Sequence, residues 1–357
     1  MICSSKNMIK RFSRAVLSWG GGGFSGSTEE RLDPRTLKAL LREISEGLGK
    51  EIRVTDERAS KTGCQTVWVE GDRPYIVKLT LRGAAGLRLE ENAKALATVG
   101  KATAADLPLS RMIPKVVLTG RLEGNFYSME TALPGKEGTS YLRSPRELEE
   151  VMSEGVRFLM GLQTLSRKDA ILDLEIWNRH FRPMIEQVGG LAARHDLASA
   201  YDKLGRYLRE RLLNQPVPLV FAHGNFWIGN LLFDPAEGLT GVIDWDSAEE
   251  TGLPLVDLLY FLIRTESLME KASLGEAVTK RIGSDLQPLL AHPLVEKYCR
   301  VFSISMEWLR PLFYYCWIQQ IHIHVRYGTS ALNNPAWLRK NLFNVLSQVN
   351  LSERLEQ

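Results

Sequence analysis

Apolar residues recur along the chain first at helical spacing, then in short runs typical of strands, and later at helical spacing again. Between residues 37 and 48, leucines and an isoleucine repeat with a helical period, and Gly49 follows, which predicts a helix that ends there. The next stretch predicts strands at Glu51–Thr55, Gln65–Glu70 and Tyr75–Leu81, a helix at Leu87–Val99, and strands at Lys115–Thr119 and Phe126–Glu130.

The pattern changes after Leu133-Pro134-Gly135, and most of the remaining chain is predicted to be helical. Pro145 opens a long helix to about Leu165, with acidic residues in its first turns. The order of elements predicts an α+β fold: a small antiparallel sheet carrying one helix, followed by a larger, mostly helical part. The predicted divisions are a leader at 1–32, an N-terminal lobe at 33–131 and a C-terminal lobe at 132–357.

The leader mixes basic and apolar side chains in residues 6–19 and then has glycine at 20–23. Arg11 and Arg14 interrupt the apolar stretch that a secretory signal would need. Two alternatives stay open. The segment could be a basic amphipathic helix on a membrane surface, or a leader that the glycines separate from the fold, which we favour.

Composition narrows the classes of protein. A chain of 357 residues suits two lobes. The 45 basic and 42 acidic residues give a net charge of +3, whereas a dedicated nucleic-acid binder usually has a strong basic excess. The sequence contains no run of 18 apolar residues, the length that would predict a membrane-spanning helix. The four cysteines form no C-x-x-C pair, which is typical of reduced thiols in a cytoplasmic protein; they are Cys3, Cys64, Cys299 and Cys316.

The candidate chemistry lies in two nearby segments. Residues 221–234 have the sequence FAHGNFWIGNLLFD, and residues 242–246 have VIDWD. Apolar residues flank the polar ones in both, which predicts a loop held between short strands. Asn230 and Asp244 offer the hard oxygen ligands that suit Mg²⁺ bridging nucleotide phosphates.

These motifs resemble those of the aminoglycoside-phosphotransferase and choline-kinase families. Those families have H-x-D-x-x-x-x-N followed by I-D-W/F-[DE]; this chain has H-G-N-x-x-x-x-N and then I-D-W-D, and GLPLVDL at 252–258 resembles their G-x-P-x-x-D-L continuation. The resemblance implies a protein-kinase-like two-lobe fold. It also implies ATP and Mg²⁺ as cofactors and a hydroxyl group of a small molecule as the phosphate acceptor.

The resemblance also implies roles for residues of the first lobe. Lys78, in the middle of a strand, would contact the nucleotide phosphates, and Glu91 of the following helix would hold it, with Glu90 as the alternative. The phosphate loop would be Ser60–Gln65, which has one glycine and would use backbone N–H groups. Adenine would bind backbone groups of the hinge at Met129, Glu130 and Thr131.

In the second lobe, the resemblance implies that His223 supports the loop, Asp257 anchors it, and Asn230 and Asp244 bind the metal. Asp246 would either assist at a second metal or cap a turn. Aromatic residues are dense in Trp308–Tyr327, which predicts a core helix or, alternatively, a wall that stacks on a cyclic acceptor. His322 and His324 are two residues apart, so they point to different helix faces and do not suggest a metal pair.

Asn225 departs from the family pattern, which has aspartate there. An amide is nearly isosteric but cannot act as a base, a function typically worth about 10²–10⁴-fold in rate. Three alternatives follow: an inactivated variant, a natural pseudokinase, or an active enzyme with its base elsewhere. Binding of nucleotide and Mg²⁺ should survive in all three.

The expected acceptor is a sugar or glycoconjugate intermediate, with an aminoglycoside-type acceptor as an alternative.

Overall fold

The computed structural model describes residues 32–59, 63–81, 83–284 and 286–349. Residues 1–31 of the predicted leader, including the candidate membrane-binding segment, and residues 60–62 of the predicted phosphate loop lie outside that part. Contacts divide the chain into two compact units. Of the described residues, those in 32–155 and 229–248 form unit 1, and those in 156–228 and 249–349 form unit 2.

Unit 1 begins with helix α1, Pro34–Leu48, whose ends follow directly from the sequence. The Asp33 carboxylate accepts hydrogen bonds from the backbone N–H of Arg35 and Thr36, at 2.8 and 3.2 Å, so it caps the first turn. Gly49 ends the helix with a φ of 62°, a left-handed conformation that glycine adopts without strain. The predicted first helix is therefore confirmed.

A five-stranded antiparallel sheet follows, with strand order β1-β2-β3-β5-β4. All five predicted strands and the helix between the third and fourth are present, although their ends differ from the prediction. The largest difference is in β1, predicted at Glu51–Thr55 and found at Arg53–Ala59, because its pairing with β2 continues into polar residues. The elements are β1 Arg53–Ala59, β2 Cys64–Glu70, β3 Pro74–Thr80, helix α2 Gly83–Ala102, the short helix α3 Leu107–Arg111, β4 Val116–Leu122 and β5 Asn125–Thr131.

Both faces of this sheet carry buried side chains. Val77 and Met129 belong to the core cluster that includes Leu40 of α1. Side chains alternate along a strand, so Lys78 and Glu130 point to the other face. Helix α2 packs against β3 and β5, and this explains why the two charged residues are only 8% and 3% exposed.

The rest of unit 1 contains a second, three-stranded sheet with order β10-β9-β6. Its strands are β6 Lys136–Glu137, β9 Leu231–Asp234 and β10 Gly238–Val242. Because β6 pairs with β9, contacts group residues 132–155 and 229–248 with the first sheet, whereas the sequence assigned both to the C-terminal lobe. Contact units and kinase lobes are different divisions, so the predicted lobe boundaries stay a prediction.

Helix α4, Pro145–Ser166, runs across the division between the units and matches the predicted long helix. Unit 2 contains a third antiparallel sheet of order β11-β8-β7, whose strand β7 lies in a region that the sequence predicted as helical. Its elements are β7 Lys168–Ile171, α5 Leu174–Ile176, α6 Arg182–Ala193, α7 Ala198–Leu212, β8 Pro216–Ala222, β11 Glu249–Gly252, α8 Val256–Met269, α9 Leu274–Ser284, α10 Gln287–Leu290, α11 Pro293–Phe302, α12 Leu309–Arg326, α13 Pro335–Leu338 and α14 Asn344–Gln348.

The aromatic helix α12 is the core of unit 2. Every residue from 311 to 321 is buried, including Gln319 and Gln320, and the helix packs against α6, α7 and α8. A helix that is buried all round belongs to a domain interior. Of the two sequence alternatives for this segment, the structure therefore shows the core helix. In the described part of the chain, no helix is both long and apolar enough to cross a membrane.

Candidate active site

Lys78 of β3 lies between two carboxylates. Its Nζ is 3.2 Å from Glu130 Oε2 and 3.7 Å from Asp244 Oδ1. Burial on its own would lower the pKa of Lys78, but the charges of Glu130 and Asp244 outweigh it and hold that pKa above its ordinary value. The strand lysine is therefore a fixed positive charge beside the aspartate of the I-D-W-D segment.

Glu130 has a side-chain role that the sequence did not predict. Besides Lys78, its carboxylate accepts hydrogen bonds from Ser128 Oγ at 3.2 Å and from the Asn92 side-chain amide at 2.8 Å. A buried carboxylate is stable when its lone pairs are satisfied in this way. Glu130 is thus the ion-pair partner that holds Lys78 on the sheet.

The predicted hinge residues Met129, Glu130 and Thr131 form the end of β5, with β3 on one side and β4 on the other. The Thr131 N–H donates to Lys115 O at 2.9 Å, and the Ala132 N–H donates to Pro74 O at 3.1 Å. Adenine would therefore have to use backbone groups other than these two N–H donors. Adenine binding at this segment stays a prediction.

The helix glutamates have different surroundings. Glu90 forms an ion pair with Arg121 on the sheet edge. Glu91 is half-buried on α2, next to Asn92, and its predicted contact with Lys78 stays a prediction. Of the predicted phosphate loop, Gly63 has a φ of 80°, and burial raises the pKa of the Cys64 thiol to about 12, so this thiol stays protonated.

Asp244 and Asn230 form the candidate metal site. The Ile243 N–H donates to Asn230 O at 2.9 Å, which ties the Asn230 backbone to the residue before Asp244. Asp244 has a φ of 64°, a conformation that is uncommon outside glycine and is concentrated at functional sites. Burial raises the pKa of Asp244 to about 6, and Lys78 opposes that rise.

The two side chains fit magnesium by their chemistry, because a carboxylate and an amide oxygen are hard ligands. Within the described residues, no group of three or more His, Cys, Asp or Glu residues could hold a metal ion. Mg²⁺ usually keeps waters and phosphate oxygens beside one or two carboxylates. A carboxylate and an amide oxygen would leave further coordination positions of such an ion to water and phosphate oxygens.

Asp246, the last residue of I-D-W-D, is paired with Arg88 of α2. Arg88 Nε donates to Asp246 Oδ2 at 2.8 Å, and Ser247 Oγ donates to Asp246 Oδ1 at 3.2 Å. Arg88 and Asp246 are 9% and 8% exposed. This pairing favours the structural alternative for Asp246, in which its carboxylate fixes the turn.

The loop that contains Asn225 is described within unit 2, where it follows β8. Asp257, the first-turn carboxylate of α8, accepts hydrogen bonds from the backbone N–H of His223 at 2.7 Å and of Gly224 at 2.9 Å. Gly224 has a φ of 75°, which favours glycine. The Asn225 N–H donates to His223 Nδ1 at 3.3 Å. His223 and Asp257 therefore both lie where they can shape this loop.

Asn225 is half-buried, whereas every other residue from 217 to 233 is buried. The loop thus presents one partly accessible side chain from an otherwise buried segment. This is the position at which the related families have aspartate.

Three further residues that the sequence did not identify support the loop. Gln163 of α4 donates to Asp257 Oδ2 at 3.3 Å and accepts a hydrogen bond from the Tyr298 hydroxyl. Gln320 of α12 donates to Gly224 O at 3.1 Å. The available signal for Gln320 was the pair Gln319-Gln320 within the mostly apolar run 311–321, because a buried amide needs partners.

Comparison with known proteins identifies the family. The model of the phosphotransferase enzyme family, abbreviated APH, matches residues 57–311. That match covers well over half of the chain. The chain belongs to the phosphotransferase enzyme family. Its α+β architecture, with a small antiparallel sheet and a larger helical part, confirms the predicted kinase-like fold class.

The individual relatives of this phosphotransferase are distant. The human protein named acyl-CoA dehydrogenase family member 11 is 23% identical over 312 residues, which are 78% of this chain and 36% of that protein. The chain therefore spans about a third of this curated relative's length.

Two solved structures to which the chain is similar are both aminoglycoside phosphotransferases by name. A type VIII aminoglycoside-3'-phosphotransferase is 19% identical with a TM-score of 0.47, and 80% of this chain and 99% of that one are covered. An aminoglycoside phosphotransferase from Alicyclobacillus acidocaldarius is 15% identical with a TM-score of 0.47, and 91% and 95% are covered.

Proposed function

We propose that this phosphotransferase transfers the γ-phosphoryl group of MgATP to a hydroxyl group of a small molecule. The observation that carries the proposal is the contact of Lys78 with Asp244 in unit 1. It joins the strand lysine to the I-D-W-D aspartate at 3.7 Å, with both side chains largely buried. In kinases of this type, a lysine and a metal-binding aspartate neutralise the phosphate charge.

Each residue of unit 1 would have a separate task. Lys78, fixed by Glu130, would contact the nucleotide phosphates with a charge that does not titrate near neutral pH. Asn230 and Asp244 would hold magnesium. When bound, MgATP supplies the transferable phosphoryl group and a metal ion that offsets its negative charge.

In unit 2, Asn225 would orient the acceptor rather than deprotonate it. Its amide oxygen can accept a hydrogen bond from the acceptor hydroxyl but cannot take up the proton. Phosphoryl transfer goes through a loose transition state in which positioning contributes much of the catalysis. We therefore expect a slow enzyme, and a pseudokinase that binds nucleotide without turnover is the alternative.

If the catalytic base lies at another position, Glu249 is a candidate. This residue of β11 pairs in register with Ala222, the residue that precedes His223. Burial raises the pKa of Glu249 to about 7, although Arg326 opposes the rise. A carboxyl group that titrates near neutral pH is suited to proton transfer.

For the acceptor, we propose a small molecule with a hydroxyl group, such as a sugar or a glycoconjugate intermediate. Family membership supports a small molecule, and solved members of similar fold include aminoglycoside and macrolide phosphotransferases by name. An aminoglycoside-type acceptor is the alternative.

The test compares the parent with Asn225→Asp and Glu249→Gln, with ADP formation measured over a panel of sugars, amino alcohols, aminoglycosides and macrolides. Asn225→Asp should raise turnover about 10²-fold or more if position 225 limits the reaction. Glu249→Gln should abolish the parent's turnover only if Glu249 is the base. Asn214→Asp adds the same charge at an exposed position of unit 2 and should change nothing.

If no acceptor yields ADP with any variant although MgATP binds, the pseudokinase alternative replaces the transferase. If none of the proteins binds MgATP at millimolar concentration, the proposed function itself is wrong.

A further inference from the structure

Asn92 of α2 connects two parts of unit 1 that are distant in sequence. Its Nδ2 donates to Glu130 Oε1 at 2.8 Å, and its Oδ1 accepts from the backbone N–H of Trp245 at 2.9 Å. Asn92 is 4% exposed, Glu130 3%, and Trp245 is fully buried. One buried side chain thus joins β5, whose Glu130 is paired with Lys78, to the turn that carries Asp244.

The chemistry of the two contacts requires an amide. Glu130 offers a carboxylate oxygen, which needs a donor, and Trp245 offers an N–H, which needs an acceptor. Asparagine supplies both. An aspartate would place a second negative charge against Glu130, and an apolar residue would leave a buried N–H without its acceptor, which is costly in a low-dielectric interior.

The Trp245 N–H is well placed to control the turn. Trp245 lies between Asp244, which contacts Lys78, and Asp246, which is paired with Arg88. Its indole Nε1 also donates to Val242 O at 2.9 Å. Fixing the Trp245 backbone therefore fixes the position from which the Asp244 side chain departs.

We propose that Asn92 is a positioning residue. It fixes the Asp244 turn relative to the Lys78–Glu130 pair, so that Lys78 and Asp244 can contact the phosphates and the metal of one nucleotide at the same time. This inference rests on the proposed MgATP function. It gives Asn92 part of the role that the family resemblance implied for the neighbouring Glu91, namely to keep Lys78 in position.

The test measures nucleotide affinity by calorimetry with and without Mg²⁺. Asn92→Ala should weaken MgATP binding about tenfold, the effect of losing about one hydrogen bond, and should weaken metal-free ATP binding less. A purely structural role would leave the affinity of the folded variant unchanged. Equal affinity of the variant and the parent for MgATP overturns the proposal.

Asn341→Ala is the matched control. Asn341 is 5% exposed in unit 2; its Oδ1 accepts from the Gly275 N–H at 2.9 Å and its Nδ2 donates to Trp337 O at 3.0 Å. Asn341→Ala therefore removes the same kind of contacts as Asn92→Ala, and the MgATP affinity of the Asn341→Ala variant should remain that of the parent. A comparable loss of affinity in Asn341→Ala would show a general effect of destabilisation and overturn the assignment.

A reciprocal exchange keeps the proposal testable if Asn92→Ala does not fold. Asn92→Asp alone puts two carboxylates together and should bind MgATP worst. The double variant Asn92→Asp with Glu130→Gln restores a donor and an acceptor at both contacts and should recover part of the affinity. Glu130→Gln alone also removes the ion-pair partner of Lys78, so it is measured beside the double variant. If Glu130→Gln alone binds MgATP but the double variant binds no better than Asn92→Asp, the proposal is overturned.

Hydrogen exchange on the parent gives a readout without any variant, and the Trp245 amide should be strongly protected. Rapid exchange of that amide in the folded parent would contradict the contact with Asn92. If the parent binds ATP neither with nor without Mg²⁺, the proposed function fails, whereas the exchange result still decides the role of Asn92 in the fold.

Discussion

At the scale of single residues, Asp257 makes the largest described contribution to the shape of the Asn225 loop. Its carboxylate accepts hydrogen bonds from two backbone N–H groups of the loop and from the Gln163 amide, and the side chain is 2% exposed. Removing the carboxylate would leave these donors buried without an acceptor. Each such donor costs about 1–3 kcal/mol.

Asp257→Ala should therefore lower the free energy of unfolding by about 3 kcal/mol or more and should reduce phosphoryl transfer. MgATP affinity should stay within about twofold, because the residues proposed to bind the nucleotide belong to unit 1. Urea unfolding and calorimetry measure the two quantities. Asp169→Ala, which removes an exposed partner of Arg167, is the control and should change neither. Unaltered stability of Asp257→Ala would show that the loop is held by other groups.

The same scale shows which site residues sequence can predict. Lys78, Asn230 and Asp244 were predicted as site residues because motif spacing or strand position marks them. Asn92 was not, because its partners are 38 and 153 residues away and nothing in a single sequence specifies such pairs. The side-chain role of Glu130 was missed for a similar reason, since the family resemblance implied only a backbone contact of this segment with adenine.

At the scale of secondary-structure elements, long periodic segments and the short strands beside the motif loop were predictable, whereas three other short strands were not. The five strands of the first sheet and helices α1, α2 and α4 follow from apolar spacing and capping residues. In contrast, β6 has two residues and β7 and β11 have four. Segments this short contain no measurable period, and they are strands only because of the neighbours with which they pair.

Packing between elements gives a prediction for α9. A Cβ added at Gly275 would lie 2.2 Å from Lys340 O and 2.4 Å from Asn341 Cα, both backbone atoms, so the helix and the segment before α14 would have to separate. Gly275→Ala should cost about 1–3 kcal/mol of unfolding free energy.

Gly190→Ala in α6 is the matched control, because a Cβ there meets nothing within 4 Å. It should be neutral or stabilise the protein by up to about 1 kcal/mol through helix propensity. Thermal and urea unfolding check both variants. Equal stability of the two would show that α9 does not pack as closely as described.

At the scale of the whole molecule, the family match spans both contact units, from residue 57 to residue 311. The proposed division of labour follows the same units: residues for the nucleotide and metal belong to unit 1, and the loop with Asn225 belongs to unit 2. Sequence alone predicted the family and fold class from fewer than fifty residues of motif. The acceptor depends on side chains that no shared motif specifies, and it is therefore the part that sequence predicts least.

Calorimetric titration of MgATP into the full chain, with Asp244→Asn and Asp257→Ala titrated alongside, tests whether Asp244 belongs to a nucleotide and metal site. The parent and Asp257→Ala should bind with a Kd at or below about 1 mM, the usual range for enzyme substrates, and Asp244→Asn should bind about tenfold or more weakly and lose its dependence on Mg²⁺. Absence of saturable binding by the parent, or equal binding by the parent and Asp244→Asn, would contradict the account.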